Sequence, residues 1–262
     1  MTMTVSTENE QPGADDADRL AKDYGAPIPV KRSGPWPLRF WRSAVGKKWV
    51  MAVTGLMLLG FVFGHMLGNL KIFLGEQTLN HYAEWLRSIG EPVFPRTVLL
   101  WIIRFALIGA FAGHIISAYQ LTRMNHRARP VKYQSPREYI AANYASRTMR
   151  WTGIIVGLFL LWHLADLTWG LKWVNGEWVR GEAYQNVVWS LDRWPVAMIY
   201  IVANIALAMH ISHGAWSMFQ SLGWNNPRWN PARRWFAYGF AAVILVGNLS
   251  IPIAILSGAV KA

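Results

Sequence analysis

Five histidines lie inside long apolar stretches of this sequence, where an imidazole without a partner is costly to bury. They are His65, His114, His163, His210 and His213. Ionisable residues in such segments usually face the interior of a helical bundle and take part in function. Imidazole nitrogens ligate iron, zinc and copper, and they also relay protons. These histidines are therefore the first candidates for a functional site.

The apolar stretches predict an all-α fold, a polytopic bundle of helices in a membrane. Of the 262 residues, 53% are hydrophobic and 15% are charged, whereas a soluble domain has about 25% charged residues. Five segments are long enough to cross a bilayer as helices. They are expected near residues 48–74, 97–123, 150–173, 195–222 and 235–259. A short surface helix is expected over residues 77–90, and no internal repeat is evident.

The beginning of the chain differs from the apolar region in composition. Residues 1–35 are polar and lack the basic start and apolar core of a secretory signal peptide. We expect a flexible cytoplasmic tail there, followed by a transmembrane domain over residues 36–262. The absence of cysteine excludes disulfides and any iron–sulfur cluster ligated by this chain alone.

The net charge of +12 comes from basic residues that flank the apolar segments. This distribution is typical of the cytoplasmic loops of a membrane protein and argues against nucleic-acid binding. Basic residues precede the first span and fill the loops after the second and fourth spans, while the two other loops are richer in acids. We therefore expect a cytoplasmic N-terminus and a C-terminus outside.

The positions of the histidines along their spans predict two levels in the membrane. At 1.5 Å per residue, His65 lies about 25 Å and His163 about 20 Å from the cytoplasmic ends of their helices. His114 and His210 lie about 14–17 Å from that side. The four histidines thus form an inner pair, His114 and His210, and an outer pair, His65 and His163.

Two haems explain this arrangement better than zinc does. Two neutral imidazoles on opposite faces of a flat macrocycle complete a six-coordinate haem iron. Structural zinc prefers four ligands in one tetrahedron, usually including thiolates. His213, three residues after His210, and Asp166, three residues after His163, are suited to contact a ligand histidine or a quinone.

Two stretches carry a resemblance to a known family. The stretch "GKKWVMAVTGLMLLGFVFGHMLGNLKIFLG" resembles the first span of the cytochrome b membrane anchor of succinate dehydrogenase, in its single-subunit, five-helix, two-haem bacterial form. The stretch "HISHGAWSMFQSLG" resembles the fourth span, where a histidine sits four residues before a glycine, here His210 before Gly214. The resemblance covers the chain from about Ser43 to the end of the fifth span.

The resemblance implies two haem b groups, one held by His114 and His210 near an iron–sulfur subunit and the other by His65 and His163. It also implies a flavoprotein subunit that oxidises succinate, and a quinone, expected to be menaquinone, that accepts the electrons. The complex would lie in a bacterial plasma membrane, as a single unit or a higher oligomer. This chain has no dinucleotide-binding pattern, so we do not expect it to oxidise succinate by itself. His213 stays open as an alternative ligand to His210.

Other candidates lie near the ends of the spans. His213, Trp216 and Gln220 could line a quinone site. Near the cytoplasmic end of the first span, Arg42, Ser43 and Lys47 could bind a quinone carbonyl or a haem propionate. On the outer side, the candidates for a second quinone site or a proton path are His81, Tyr82 and Glu84.

Three alternatives remain open on the sequence alone. The first is a [2Fe–2S] centre with two histidines from this chain and two cysteines from the iron–sulfur subunit. The second is the haem b subunit of a hydrogenase or formate dehydrogenase. The third is a transporter with a histidine relay, a class that tends to show broken helices and inverted repeats.

Overall fold

The computed structural model describes residues 34–128 and 144–261, with side chains from residue 148 onward in the second range. Over these residues the fold is helical, and five helices are long and apolar enough to cross a membrane. The predicted all-α, five-span fold is confirmed. The expected tail falls almost entirely outside the described residues, as does the loop with Arg129, Lys132 and Arg137.

The described residues contain eight α-helices. In chain order they are α1 Trp36–Arg42, α2 Ala44–Asn69, α3 Glu76–Ser88, α4 Val98–Ala128, α5 Tyr144–His163, α6 Ala183–Asp192, α7 Trp194–Ser221 and α8 Asn230–Leu256. A 3₁₀ turn, Leu70–Leu74, extends α2, and a π-helical turn, Leu164–Thr168, extends α5. The five spans are therefore α2, α4, α5, α7 and α8.

Local chemistry sets several of these boundaries. The Ser43 hydroxyl caps α2 by accepting a hydrogen bond from the Gly46 N–H at 2.9 Å. Pro195 lies in the first turn of α7, where its missing N–H costs nothing. Gly75, at φ +94°, turns the chain between the 3₁₀ segment and α3.

Residues 42–262 form one compact unit in which four spans pack in a row. Helix α4 packs on α2, α2 on α7, and α7 on α5, while α8 packs on α7 and α2. Within the described residues, α4 and α5 are not among the helix pairs that pack extensively. Met66, Ile211, Ala241 and Ile244 form a buried core between α2, α7 and α8. The spans expose many large apolar side chains, as lipid-facing helices do.

One end of the bundle, which we call the basic end, carries exposed cationic side chains. They are Lys48, Arg123, Arg127, Arg150, Arg228 and Arg234. Helices α3 and α6 cover the opposite end. Asn80 of α3 joins them: it donates to Glu182 at 3.0 Å and accepts from the Tyr184 N–H at 2.9 Å. Beneath α3 and α6 lies a second apolar core that includes Ile72, Val188 and Ile255.

The structure differs from the sequence prediction at this opposite end. The third span ends at Thr168 instead of continuing to Trp173, because the π turn is followed by Gly170 at φ +57°. Helix α6 was not predicted. The helix has only ten residues, so its own sequence indicates it weakly. Its buried side chains pack against residues from distant parts of the chain, such as Ile72 and Ile255.

Candidate functional site

The structure brings the four central histidines together as two pairs. The ring centres of His114 on α4 and His210 on α7 lie 6.3 Å apart, with the planes inclined by 61°. The ring centres of His65 on α2 and His163 on α5 lie 5.8 Å apart, at 85°. We call these the basic-end pair and the opposite-end pair. They are the pairs expected from depth in the sequence.

Each pair joins helices that are not direct neighbours. In the row α4–α2–α7–α5, the basic-end pair reaches from α4 across to α7, and the opposite-end pair reaches from α2 across to α5. The imidazoles therefore face each other across the bundle. His65 is exposed, and the other three histidines are half-buried. A flat group between the paired rings would have an imidazole from a different helix on each face.

Backbone carbonyls fix the proton of each basic-end histidine. His114 Nδ1 lies 3.1 Å from the Met51 carbonyl and 3.3 Å from Thr54 Oγ1. His210 hydrogen bonds to the Met149 carbonyl, and its Nδ1 lies 3.4 Å from Thr152 Oγ1. A carbonyl oxygen can only accept, so Nδ1 of His114 carries the proton. Thr152 Oγ1 donates to the Thr148 or Met149 carbonyl, so it can only accept from Nδ1 of His210, which carries the proton as well. The Nε2 lone pair is then free to ligate a metal, which is how ligating histidines are usually held.

An internal repeat underlies this arrangement, contrary to the expectation from the sequence. Residues 51–65 read "MAVTGLMLLGFVFGH" and residues 149–163 read "MRWTGIIVGLFLLWH". Met, Thr, Gly, Phe and His recur at identical spacing. The matched residues also make matched contacts, because each Met and Thr hold the histidine of the following span. Likewise Phe61 stacks on His65 and Phe159 packs on His163.

The glycines of the repeat allow the close approach of those histidines. A Cβ added to Gly55 would lie 3.4 Å from His114 Cε1, and one added to Gly153 would lie 3.3 Å from His210 Cε1. Larger side chains at either position would push the imidazole away from its carbonyl partner. The repeat therefore builds one histidine cradle from α2 and a second one from α5.

The opposite-end pair has a different environment. Tyr200 Oη lies 3.4 Å from His163 Nδ1 and donates to Asp166 Oδ2 at 2.7 Å. Ser190 Oγ donates to the same carboxylate oxygen at 2.6 Å, and Arg193 Nη2 lies 3.7 Å from the other oxygen. Asp166 has no exposed surface. Sequence reasoning singled out Asp166, while Tyr200 was missed because it is 34 residues away.

The histidine pairs fit a haem iron with two axial imidazoles. A metal–nitrogen bond of about 2 Å and a further ~1.1 Å to the ring centre, on each side, separate the two centres by about 6 Å. The observed separations are 6.3 and 5.8 Å. Within the described residues, no three or more His, Cys, Asp or Glu side chains gather as a group that could hold a metal ion. Each site thus offers two ligands on opposite sides. That these are haem ligands stays a prediction.

The remaining candidates are spread over the basic end. Arg42 is exposed, the Ser43 hydroxyl serves as the cap of α2, and Lys47 is buried with 6% of its surface exposed. His213 is half-buried on α7, and Gln220 is exposed near the end of that helix.

Trp216 has cationic neighbours from α8. The guanidinium groups of Arg233 and Arg234 lie 4.7 and 5.3 Å from the centre of its ring. A cavity of about 420 Å³ lies beside Arg233 and is lined by Phe219, Trp224 and Trp229. None of the predicted quinone residues lines that cavity. A larger cavity of about 710 Å³ lies at the opposite end and includes His81, Tyr82 and Lys71.

Fold and site together define a class: a polytopic helical membrane protein whose bundle holds two histidine pairs at two levels. The transmembrane subunit family of succinate dehydrogenase and fumarate reductase matches residues 132–246. The match covers 115 of the 262 residues and supports the resemblance to this family over that part of the chain. The matched segment contains His163, His210 and His213, whereas His65 and His114 lie outside it. No curated protein matches the chain, and neither does any solved structure.

Proposed function

We propose that this chain carries electrons from an iron–sulfur subunit to a membrane quinone within succinate:quinone oxidoreductase. The observation that carries the proposal is the presence of two histidine pairs at separate levels of one bundle. Eleven residues separate Thr54, at the level of the basic-end pair, from His65 on α2, which corresponds to about 16 Å along the axis. Two redox groups at this spacing span much of the bilayer core.

The histidines would act as axial ligands, His114 with His210 and His65 with His163. Bound between them, two haem b groups supply one-electron carriers whose potentials depend on burial and hydrogen bonding. The chain's own contribution is to orient the rings. The Met51 carbonyl accepts from Nδ1 of His114 and the Thr152 hydroxyl accepts from Nδ1 of His210, which leaves Nε2 of both rings available as a ligand. His213 lies one turn beyond His210, and we assign ligation to His210 because its ring faces His114.

The basic end suits the docking of the iron–sulfur subunit. Its exposed cations would face the cytoplasm by the positive-inside rule, which places the N-terminus inside and the C-terminus outside a bacterial plasma membrane. The same cations could hold haem propionates and acidic side chains of the partner. A flavoprotein subunit would oxidise succinate and pass electrons to the iron–sulfur subunit.

The quinone, which we expect to be menaquinone, has candidate positions at both ends. At the basic end, His213, Trp216 and Gln220 follow His210 on α7 and offer hydrogen-bonding groups beside an aromatic ring. At the opposite end, an open surface depression of about 710 Å³ is lined by His81, Tyr82 and Lys71.

The test is to isolate the complex from native membranes through a tag on this chain and to add succinate. We expect a flavoprotein and an iron–sulfur protein to co-purify, and succinate to reduce both the haem and a menaquinone analogue. A hydrogenase or formate dehydrogenase partner in their place would contradict the proposal. So would a complex that has iron–sulfur signals but no haem absorption, which is the outcome expected for a shared [2Fe–2S] centre.

A further inference from the structure

The π-helical turn after His163 places a carboxylate inside the bundle. The wide turn is closed by the Trp169 N–H, which donates to the Leu164 carbonyl at 2.7 Å. Single π turns inside α-helices occur frequently at functional sites. Here the turn carries Asp166, which is fully buried within a span. A buried carboxylate is expensive in a membrane and needs a reason to be kept.

Three groups hold this carboxylate in place. The hydroxyls of Tyr200 and Ser190 both donate to Oδ2, while the Arg193 guanidinium lies on the side of Oδ1. Arg193 is itself fixed, since its Nη1 donates to the Val174 carbonyl at 2.6 Å. The hydrogen bonds that the two hydroxyls donate to the carboxylate are charge-assisted, and such bonds are the stronger ones in proteins. Asp166 is therefore held through Oδ2, whereas Oδ1 is buried with the Arg193 guanidinium 3.7 Å away and makes no hydrogen bond.

Tyr200 links the carboxylate to His163. A tyrosine hydroxyl has one proton, and the 2.7 Å contact with Asp166 uses it. Toward His163, at 3.4 Å, Tyr200 Oη can then only accept, so His163 Nδ1 carries the proton. The hydrogen-bonded chain His163–Tyr200–Asp166 thus uses Nδ1 and leaves Nε2 available as a ligand. It is an extended form of the histidine–carboxylate contact that orients metal ligands.

The internal repeat indicates that this device is specific to one histidine. The position equivalent to Asp166 in the first copy is Gly68, three residues after His65. A Cβ at Gly68 would lie 2.7 Å from Tyr82 Cε1, so a carboxylate has no room there. Tyr200 lies ten residues before His210 on α7. The residue ten before His114 on α4 is Arg104, which is exposed. Only the second copy can therefore hold a histidine through a buried acid.

We propose that Tyr200 and Asp166 are positioning residues that set the orientation of His163 and lower the reduction potential at the opposite-end pair. The proposal deepens the proposed function and rests on it. The carboxylate of Asp166, acting through the Tyr200 hydroxyl, would make the His163 imidazole a stronger electron donor. A stronger donor would stabilise the oxidised, more positive iron and so lower the reduction potential of that haem. Removal of either residue should raise it. The basic-end pair, held by carbonyls and threonines, should be unaffected.

The test is a spectroscopic redox titration of the purified complex with Tyr200→Phe and, separately, Asp166→Asn. The matched control is Tyr184→Phe, because Tyr184 is buried to the same degree at the same end and its hydroxyl donates to the Lys261 carbonyl instead. We expect the redox equilibrium constant of one haem to rise about tenfold in both test variants, or about 59 mV for one electron. Its low-spin electron paramagnetic resonance signal should shift too.

The second haem serves as an internal reference in every sample. If the wild-type complex holds no haem, the proposed function fails and this inference fails with it. If the wild type holds two haems and both potentials in Tyr200→Phe and Asp166→Asn equal those of Tyr184→Phe, the inference alone is overturned. Equal shifts of both haems would also overturn it, because they would indicate a general change of the bundle instead of an effect on His163.

Discussion

Replacement of a single histidine should remove one haem and leave the other. In His114→Ala the basic-end pair loses one of its two ligands, while the opposite-end pair lies about 16 Å further along the bundle and shares no side chain with it. We expect the haem content to fall from two groups per chain to one. The double variant His114→Ala/His210→Ala should lose no more than either single variant, because both ligands serve the same group.

The assay is haem per chain, measured on monodisperse complex by the pyridine haemochrome spectrum. A matched control is His126→Ala, since His126 is exposed near the end of the same helix α4 and should leave two haems. His65→Ala should remove the other haem, so that the two remaining spectra differ from each other. Full haem content in His114→Ala, or an additional loss in the double variant, would refute the pairing.

Two further predictions concern the cover of the opposite end. Asn80→Ala removes hydrogen bonds to Glu182 and to the Tyr184 N–H. It should lower the free energy of unfolding in detergent by about 2–3 kcal/mol. Thr78→Ala is the control, because that exposed hydroxyl donates only to a carbonyl of its own chain segment; equal melting temperatures would contradict the prediction. Gly68→Ala places a Cβ 2.7 Å from Tyr82 and should cost roughly 1–3 kcal/mol. Gly239→Ala, with nothing within 4 Å, should stay within about 0.5 kcal/mol, and equal effects would count against the contact.

The level of each histidine was predictable because the rise of a helix per residue is fixed. The distance from a span's end to His65 or His114 depends on sequence number alone, so the two pairs followed from counting. The way in which the pairs cross the bundle did not follow. It depends on which helices pack together, and apolar residues on all sides of α4 or α7 give little information about their neighbours.

The partners of the histidines were harder to predict. Asp166 was recognised because it lies one turn from His163, but Tyr200 comes from another helix and makes its contact only in the folded bundle. The repeat was missed because only five of the fifteen aligned positions in residues 51–65 and 149–163 are identical. The other ten positions hold different residues, most of them apolar. Helix α6 is short and stabilised by long-range packing, so its own sequence indicates it weakly.

The most direct test of the central claim is the haem content and the reduced-minus-oxidised spectrum of the purified complex, with iron measured per copy of this chain. Two low-spin b-type haems for each chain, in excess of any iron–sulfur iron of the partner, are the result expected from two histidine pairs. A complex without a Soret band, or with a single haem that survives replacement of both His114 and His65, would contradict the account.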